Sequence, residues 1–383
     1  MGFEAGLALK NLWRRRTRTT ATVCGIAVAF AAMITFVGLA QRLSDNFTEV
    51  LDRHRIDIVV TPASKRLLSG VFDESIGESL EAIAGVDRAV GVLADLTTMS
   101  EVEILGVPVQ GWPADNPMYD DLDLRRGRRI TPDDDRHVML GSILADKLQL
   151  DVGSVVEMEA EPFEVVGIFD SGNSLENGVA ITPLTTLQSV LDRDGKVNVF
   201  LISMAGSDIP DADAVETVCA AITRLSDGGR DETPLKAAPA RRFVQSTREL
   251  GLVRASAWAT SAVALLVGTI AMFNTMAMSV FERTGEFGIL RAIGWKPRRV
   301  VRLVLIESIL ISTAGALVGG VAAVVLVIGL SRIPRTATLV DGRLPPEVFL
   351  QGFAVALVVG AAAGLLPAIR GANLRPTEAL RHV

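Results

Sequence analysis

The sequence predicts an α-helical membrane protein with four transmembrane helices and a large mixed α/β extracytoplasmic domain between helices 1 and 2. Three observations carry this expectation. First, Thr19–Ala40, Ala255–Phe281 and Val348–Ile369 run 22, 27 and 22 residues without a charge, and Leu303–Ser331 runs 29 residues with only Glu307. Each exceeds the roughly 20 residues a helix needs to cross a hydrocarbon core. Backbone polar groups in lipid must be satisfied within their own segment, so each run is helical. Second, the charge is divided: residues 41–250 hold 37 of the 44 Asp/Glu but only 20 of the 38 Lys/Arg. An acidic middle between basic, apolar ends marks a soluble domain set into a membrane protein. Third, the middle alternates strand-like and helix-like patterns, which gives mixed α/β.

Taken in order, residues 1–18 bring Ala5, Leu9, Leu12, Trp13 and Arg16 onto one helical side, as in an amphipathic helix lying in the cytoplasmic interface. The first span is 19–40. Its Gly38-Leu39-Ala40 end imitates a signal cleavage site, but the run is longer than the usual apolar region of about 7–15 residues, so a retained helix is expected. The domain at 41–250 opens with a strand in IDIVV (Ile56–Val60) and a capped helix in SIGESLEAI (Ser75–Ile83), then strands in AVGVL and VEILGV. HVMLGSILADKLQL reads as a strand running into a short helix. SVVEMEAEPFEVVGIFD reads as a hairpin whose turn includes Glu161-Pro162. GVAITP and VNVFLISM are strands around the helical TPLTTLQSVL, and DADAVETVCAAITRL is an amphipathic helix. Ser226–Ala240 reads as an exit linker, rich in Gly, Pro and charge. The second span is 251–281, followed by a cytoplasmic segment at 282–302, the third span at 303–331, a short outside loop at 332–347, the fourth span at 348–369 and a cytoplasmic tail at 370–383.

Orientation follows from the short flanks. Lys10, Arg14, Arg15, Arg16 and Arg18 precede the first span, six basic residues lie between Arg283 and Arg302, and Arg370, Arg375 and Arg381 follow the fourth. The positive-inside rule puts these three segments, and hence both termini, in the cytoplasm, and the acidic domain outside.

Several chemistries have no support. The chain contains no G-x-x-x-x-G-K-[ST] phosphate loop and no H-E-x-x-H, and its histidines, His54, His137 and His382, are far apart. No catalytic residue, metal site or cofactor is expected, nor a nucleic-acid partner. Cys24 and Cys219 suggest no disulfide framework. Asp120, Asp121, Asp123 and Asp133–Asp135 flank Arg125, Arg126, Arg128 and Arg129, and a self-neutralising solvated loop is favoured there over a cation site.

Glu307 is the one charge within a span. A carboxylate in lipid is a functional candidate by default, yet so near the cytoplasmic face it can pair with a basic neighbour, and a structural anchor is favoured. Gly315-x-x-x-Gly319 and Gly360-x-x-x-Gly364 let helix backbones approach closely, within the chain or between protomers. In the segment opening at Glu282, an apolar face of Ile289, Leu290 and Ile293 lies opposite Glu282, Arg283, Glu286 and Arg291. Gly294 can end this short helix and Pro297 can restart the chain. On physics alone an ordinary basic connecting loop is slightly favoured over this helix.

ERTGEFGILRAIGWKPRRVVRLVLIES (Glu282–Ser308), the glycine-rich GALVGG after it and the tail LLPAIRGANLRPTEALR resemble the permease subunits of MacB/FtsX-type (type VII) ABC transporters. ALKNLWRRRTRTTATVCGIAV and GSILADKLQLDVGSVVEMEAEPFEVVGIFD resemble the same family's entry into the first helix and its outside domain, so the likeness spans nearly the whole chain. The resemblance implies a permease of the bacterial cytoplasmic (inner) membrane without a fused ATPase. It would form a homodimer or close heterodimer, docked on a separate ATP-binding subunit that holds ATP and Mg, in contact with membrane lipid, and with a periplasmic adaptor left open. The outside domain would comprise a porter-like α/β part and an inserted strand-rich part, about 115–183. The resemblance places ATPase coupling on Glu282, Arg283, Glu286, Phe287, Arg291 and Gly294, polar side toward the ATPase and apolar side toward the membrane helices. Export or extraction of an amphipathic substrate (lipid, lipoprotein, peptide or drug-like) by mechanotransmission is the function it implies. The alternative is an ATP-driven regulator of an outside hydrolase or sensor.

Overall fold

The protein, as a computed structural model, is described over residues 16–63, 70–99, 104–206, 211–226, 234–333, 340 and 342–373. The expected interfacial helix at 1–18 and tail at 370–383 lie almost wholly outside these residues. The described chain forms two compact units, one of residues 16–42, 253–330 and 342–373, the other chiefly of residues 43–252.

The elements in order are α1 (Arg16–Arg53), β1 (Ile58–Pro62), β2 (Phe72–Asp73), α2 (Ile76–Glu81), β3 (Val86–Met99), β4 (Ile104–Trp112), β5 (Asp123–Gly127), β6 (His137–Gly141), α3 (Ser142–Leu148), β7 (Val155–Met158), β8 (Glu161–Asp170), β9 (Ala180–Pro183), α4 (Leu184–Val190), β10 (Lys196–Val197), β11 (Val199–Met204), α5 (Ala212–Ser226), β12 (Leu235–Pro239), α6 (Ala240–Ser246), α7 (Arg248–Glu282), α8 (Thr284–Ala292), α9 (Pro297–Ser331) and α10 (Pro346–Asn373). Four of the helices, α1, α7, α9 and α10, are long and apolar enough to cross a membrane.

In the membrane unit, burial follows the helical period. Ile26, Phe30, Met33, Ile34 and Val37 line one stripe of α1, and Val300, Leu303, Val304, Ile311, Ala316 and Ala323 line one stripe of α9. The opposite faces stay apolar and exposed, as at Val321, Val325 and Val358, which suits a lipid solvent. Both glycine pairs lie against helices of this same chain. A methyl group at Gly315 would stand 2.6 Å from Cγ2 of Ile26, and one at Gly319 2.5 Å from the Ala27 carbonyl oxygen, so α9 lies almost backbone to backbone on α1. Gly360 and Gly364 face Ile309 and Ser308, which brings α10 equally close to α9. The Ser312 hydroxyl fastens this second contact by donating to the Ala356 carbonyl at 2.8 Å.

The other unit is built on a ten-stranded sheet in the order β12-β1-β11-β3-β4-β9-β6-β8-β5, with β7 bridging β3 and β8. Alternation assigns its two faces: Ile58, Val60, Phe200 and Ile202 point to a core shared with α2 to α5, while Val59, Met139, Ile181 and Trp112 point to a second core on the other side. In β8 the alternation breaks. Phe163 and Val165 face the first core, but Val166 and Phe169 face the second, because the ladder with β6 jumps from Val138↔Val165 to Met139↔Gly167. One extra residue flips the faces. The 115–183 stretch continues the sheet, since β9 pairs in parallel with β4 and β7 reaches β3 at Met99↔Met158.

Three local expectations are corrected. The turn between β7 and β8 is Glu159-Ala160, both at positive φ (51° and 63°), and Pro162 lies in β8 opposite Glu157. A two-residue hairpin turn of this kind needs positive φ twice, and a proline ring cannot adopt it. The supposed linker contains β12, which pairs with β1 from Ile58↔Pro239 to Pro62↔Leu235 and closes the sheet. Ser75 does not cap α2; its hydroxyl instead donates to Asp73 at 2.7 Å.

The arginine-aspartate region is largely self-paired. Arg128 grips Asp134 through both terminal nitrogens (2.5 and 2.7 Å), Arg129 pairs with Asp120, Arg126 with Asp151 and Arg125 with Asp170. Among the described residues no group of three or more His, Cys, Asp and Glu is placed to hold a metal. Asp121 goes elsewhere. It accepts from Nδ1 of His54 at 2.8 Å, while Nε2 of His54 meets Glu176 at 2.6 Å, with the imidazole fully buried edge-on to Trp112. Burial alone pushes His54 down, but hydrogen bonds and charge from Glu176 and Asp121 outweigh it and hold the imidazole above its ordinary value. The same corner binds the end of α1: Asn46 donates to Ser174, and Asn173 donates to the Asn46 carbonyl and to Glu49.

Candidate functional site

The short helix α8 lies between α7 and α9, and local chemistry sets its two ends. At its start Arg283 leaves helical geometry (φ −110°, ψ 13°), so α7 stops at Glu282 and the chain restarts at Thr284. At its end Gly294 takes φ 103°; its amide bonds the Arg291 carbonyl at 3.1 Å, and the Trp295 amide bonds the Leu290 carbonyl at 3.0 Å. That crossed pair is the Schellman closure, and only glycine enters it without a Cβ penalty. Pro297 then opens α9 at a position where its missing N–H costs nothing.

Some side chains of this segment face opposite to the direction expected of them, while Glu286 stays exposed and Leu290 packs on the helix core as expected. Arg283, assigned to the polar outer side, is buried. Its Nη1 lies 2.9 Å from each carboxylate oxygen of Glu307 on α9, its Nε donates to Glu286 at 3.0 Å, and its guanidinium sits 5.1 Å from the ring centroid of Phe287. Phe287 is only 1% exposed, against Gly371 of α10. Ile289 and Ile293, assigned to the membrane side, are 50% and 74% exposed. The reason is electrostatic. A buried carboxylate needs a buried cation, Arg283 is held within reach at the break, and drawing it inward rotates the isoleucines out.

The remaining polar residues are tied within the chain too. Glu282 pairs with Arg18 of α1 at 3.0 Å, and Arg291 donates to the Ala372 carbonyl of α10 at 2.5 Å. Helix α8 is therefore bonded to α10, tied to α9 through Arg283 at its start, and continuous in sequence with α7, whose last residue Glu282 holds α1. Its Glu286 side chain is 56% exposed, and its outer edge is Ile289, Ala292 and Ile293. Just beyond, Arg299 stacks over Trp295 at 5.6 Å. Glu307 pairs with Arg283 rather than facing a polar pathway alone, and what sequence reasoning missed was this partner, 24 positions upstream across a turn and a helix.

Comparison with known proteins agrees with this architecture. Residues 19–225 match the MacB-like periplasmic core domain and residues 258–376 the FtsX-like permease C-terminal region. An uncharacterized ABC transporter permease of Methanocaldococcus jannaschii is 25% identical over 391 residues, an alignment covering 98% of this chain and 96% of that protein. The macrolide export ATP-binding/permease proteins MacB of Nitrosomonas europaea and Agrobacterium fabrum are 26% and 27% identical over 97% and 96% of this chain. The chain spans only 58% and 59% of the length of those two relatives. The solved periplasmic region of MacB from Actinobacillus actinomycetemcomitans overlaps 50% of this chain and 92% of its own at 12% identity, with a TM-score of 0.38. With the two family matches lying end to end along it, the chain belongs to the family of ABC transporter permeases that join a MacB-like periplasmic core domain to an FtsX-like membrane region.

Proposed function

We propose that this chain is the non-catalytic permease subunit of an ABC exporter, coupled through α8 to ATP hydrolysis in a separate subunit that binds ATP and Mg. Membership of the permease family supports a transport role. The observation that carries the coupling assignment is the outer edge of α8: Ile289 and Ile293 stand exposed on a helix tied by a bond or a chain connection to α7, α9 and α10. Short basic flanks put that edge on the cytoplasmic side of a bacterial inner membrane, with both termini inside and the acidic unit outside. Two protomers supply about eight spans, few for a wide polar conduit at helix diameters of roughly 10 Å. Motion relayed along the helices, acting on an amphipathic substrate already outside or in the outer leaflet, therefore fits better than passage through a channel.

The test replaces Ile289 and Ile293 together by Asp in the full-length permease. Co-expressed with a candidate ABC ATP-binding subunit from the same organism, the wild-type chain should co-purify with that subunit and raise its ATP hydrolysis in lipid nanodiscs. The variant should fold but lose both. Equal capture and stimulation by wild type and variant would remove α8 from the coupling role.

A further inference from the structure

Arg283 and Glu307 are the least accessible of the charged groups at α8, at 7% and 3% exposure, so a docked partner cannot reach them. They nevertheless bond the start of α8 to α9. We propose that the Arg283–Glu307 ion pair is an internal strut: it fixes the orientation of α8 on α9 and transmits displacement between them without contributing to partner affinity. The transmission half of this statement rests on the function proposed above; the positioning half does not.

The argument begins with the length of α8. Nine residues are too few to hold a helix in water by propensity alone, so its position must come from fixed contacts. Its end is closed by Gly294, but a closed end does not aim the helix. Arg283 does so, because one guanidinium reaches in two directions, through Nε to Glu286 in the first turn of α8 and through Nη1 to both oxygens of Glu307. The Phe287 ring below the guanidinium restricts its plane. The result is a bonded line from α8 through Arg283 to α9.

Thermodynamics points the same way. A buried ion pair gains little over an apolar pair of the same shape, because desolvation offsets most of the attraction, but it tolerates little displacement. Removing one partner leaves the other's buried charge short of this bond; removing both releases the geometry while largely sparing the stability. That distinction separates a strut from a structural prop.

Hydrogen exchange on the full-length permease in lipid nanodiscs, without any ATPase, tests the positioning. Arg283→Gln and Glu307→Gln should each speed exchange of the 284–292 amides more than about tenfold, with α7 and α10 within about twofold of wild type. The double variant R283Q/E307Q, which removes both charges of the pair, should recover wild-type yield and melting yet keep the fast 284–292 exchange. Restored protection in the double variant, or exchange that rises equally in all four membrane helices, overturns the strut. The second arm adds the ATP-binding subunit that co-purifies with the wild-type chain. R283Q/E307Q should bind it within about twofold of wild type while stimulated ATP hydrolysis falls about tenfold or more, a split set by local opening and not by docking. Parallel loss of binding and stimulation overturns the proposal. If the wild-type chain captures no ATP-binding subunit, the exporter reading fails and the exchange result alone decides the strut.

Discussion

Replacing His54 by Ala should strip the sheet unit of several kcal/mol, and the wild-type protein should lose stability as pH rises through the folded-state value of His54. The imidazole has no exposed surface and stands between two carboxylates, Glu176 at 6% and Asp121 at 41% side-chain exposure. Without His54 the Glu176 carboxylate is left buried with no cation, and breaking a buried pair on one side costs about 3–5 kcal/mol. Asp121 is open enough for water to recover its loss, so its share is that of a surface pair, about 0–1 kcal/mol. The expected penalty is therefore about 4 kcal/mol, nearly all through Glu176. The pH dependence has a definite sign. The folded state holds His54 above its ordinary value, so the stabilisation is complete below the unfolded value of about 6.5 and is lost as pH rises through the folded one. The assay is hydrogen exchange of the β1 and α1-end amides in the full chain, corrected for the intrinsic pH dependence of exchange. A loss of about 4 kcal/mol corresponds to a fall of roughly a thousandfold in protection. Wild-type protection should fall as pH rises through the raised folded-state value of His54, and His54→Ala should be low and flat. A variant protected to within threefold of wild type at pH 6, or wild-type protection that rises with pH, would refute the reasoning.

Other predictions follow from packing and from one perturbed thiol. Gly319→Ala should cost about 1–3 kcal/mol by overpacking, because its methyl would meet the Ala27 carbonyl and Phe30 Cβ. Gly329→Ala, in the same helix with nothing within 4 Å, should be neutral or stabilising by up to about 1 kcal/mol; melting both variants in detergent compares them directly. Gly294→Ala should cost about 1–2 kcal/mol, since its φ of 103° is closed to a side chain, and exchange should rise first at 290–295. Cys219 is buried on α5, and burial, then the Glu216 charge, pushes its thiol up to about 11 despite Arg242. It should stay unalkylated by iodoacetamide at pH 8 in the folded protein and react once urea is added, as followed by mass spectrometry.

The spans were legible in the sequence because lipid imposes a requirement that each segment meets alone: some twenty residues, no charge, all backbone bonds internal. Strand positions such as Val199–Met204 were legible for a related reason, the period of two written into VNVFLISM. Features that depend on distant partners were not. Nothing in HRIDIVV announces that His54 will meet residues 67 and 122 positions away, and a lone histidine reads as neutral surface until its neighbours are known. Ser226–Ala240 read as a linker because glycine, proline and charge precede LKAAP. Leu235–Pro239 within it form a strand only because the edge of β1 is there to accept them.

Helix α8 shows why periodicity gave the wrong face. Hydropathy ranked Ile289 and Ile293 as inward and Arg283 as outward, and for an isolated amphipathic helix that ranking holds. Glu307 reverses it. Transferring two isoleucines out of contact forgoes burial worth about 1.5–3 kcal/mol each, breaking the buried Arg283–Glu307 pair costs a comparable sum of about 3–5 kcal/mol, and the chain break that holds Arg283 beside Glu307 decides between them. Arg283 is the cation held at the break between α7 and α8, so it turns inward and the rotation of the helix follows from it. The apolar edge that this rotation leaves in solvent is, on this argument, the consequence of neutralising one buried charge, and the same step both aims the helix and exposes the surface proposed to meet the ATPase.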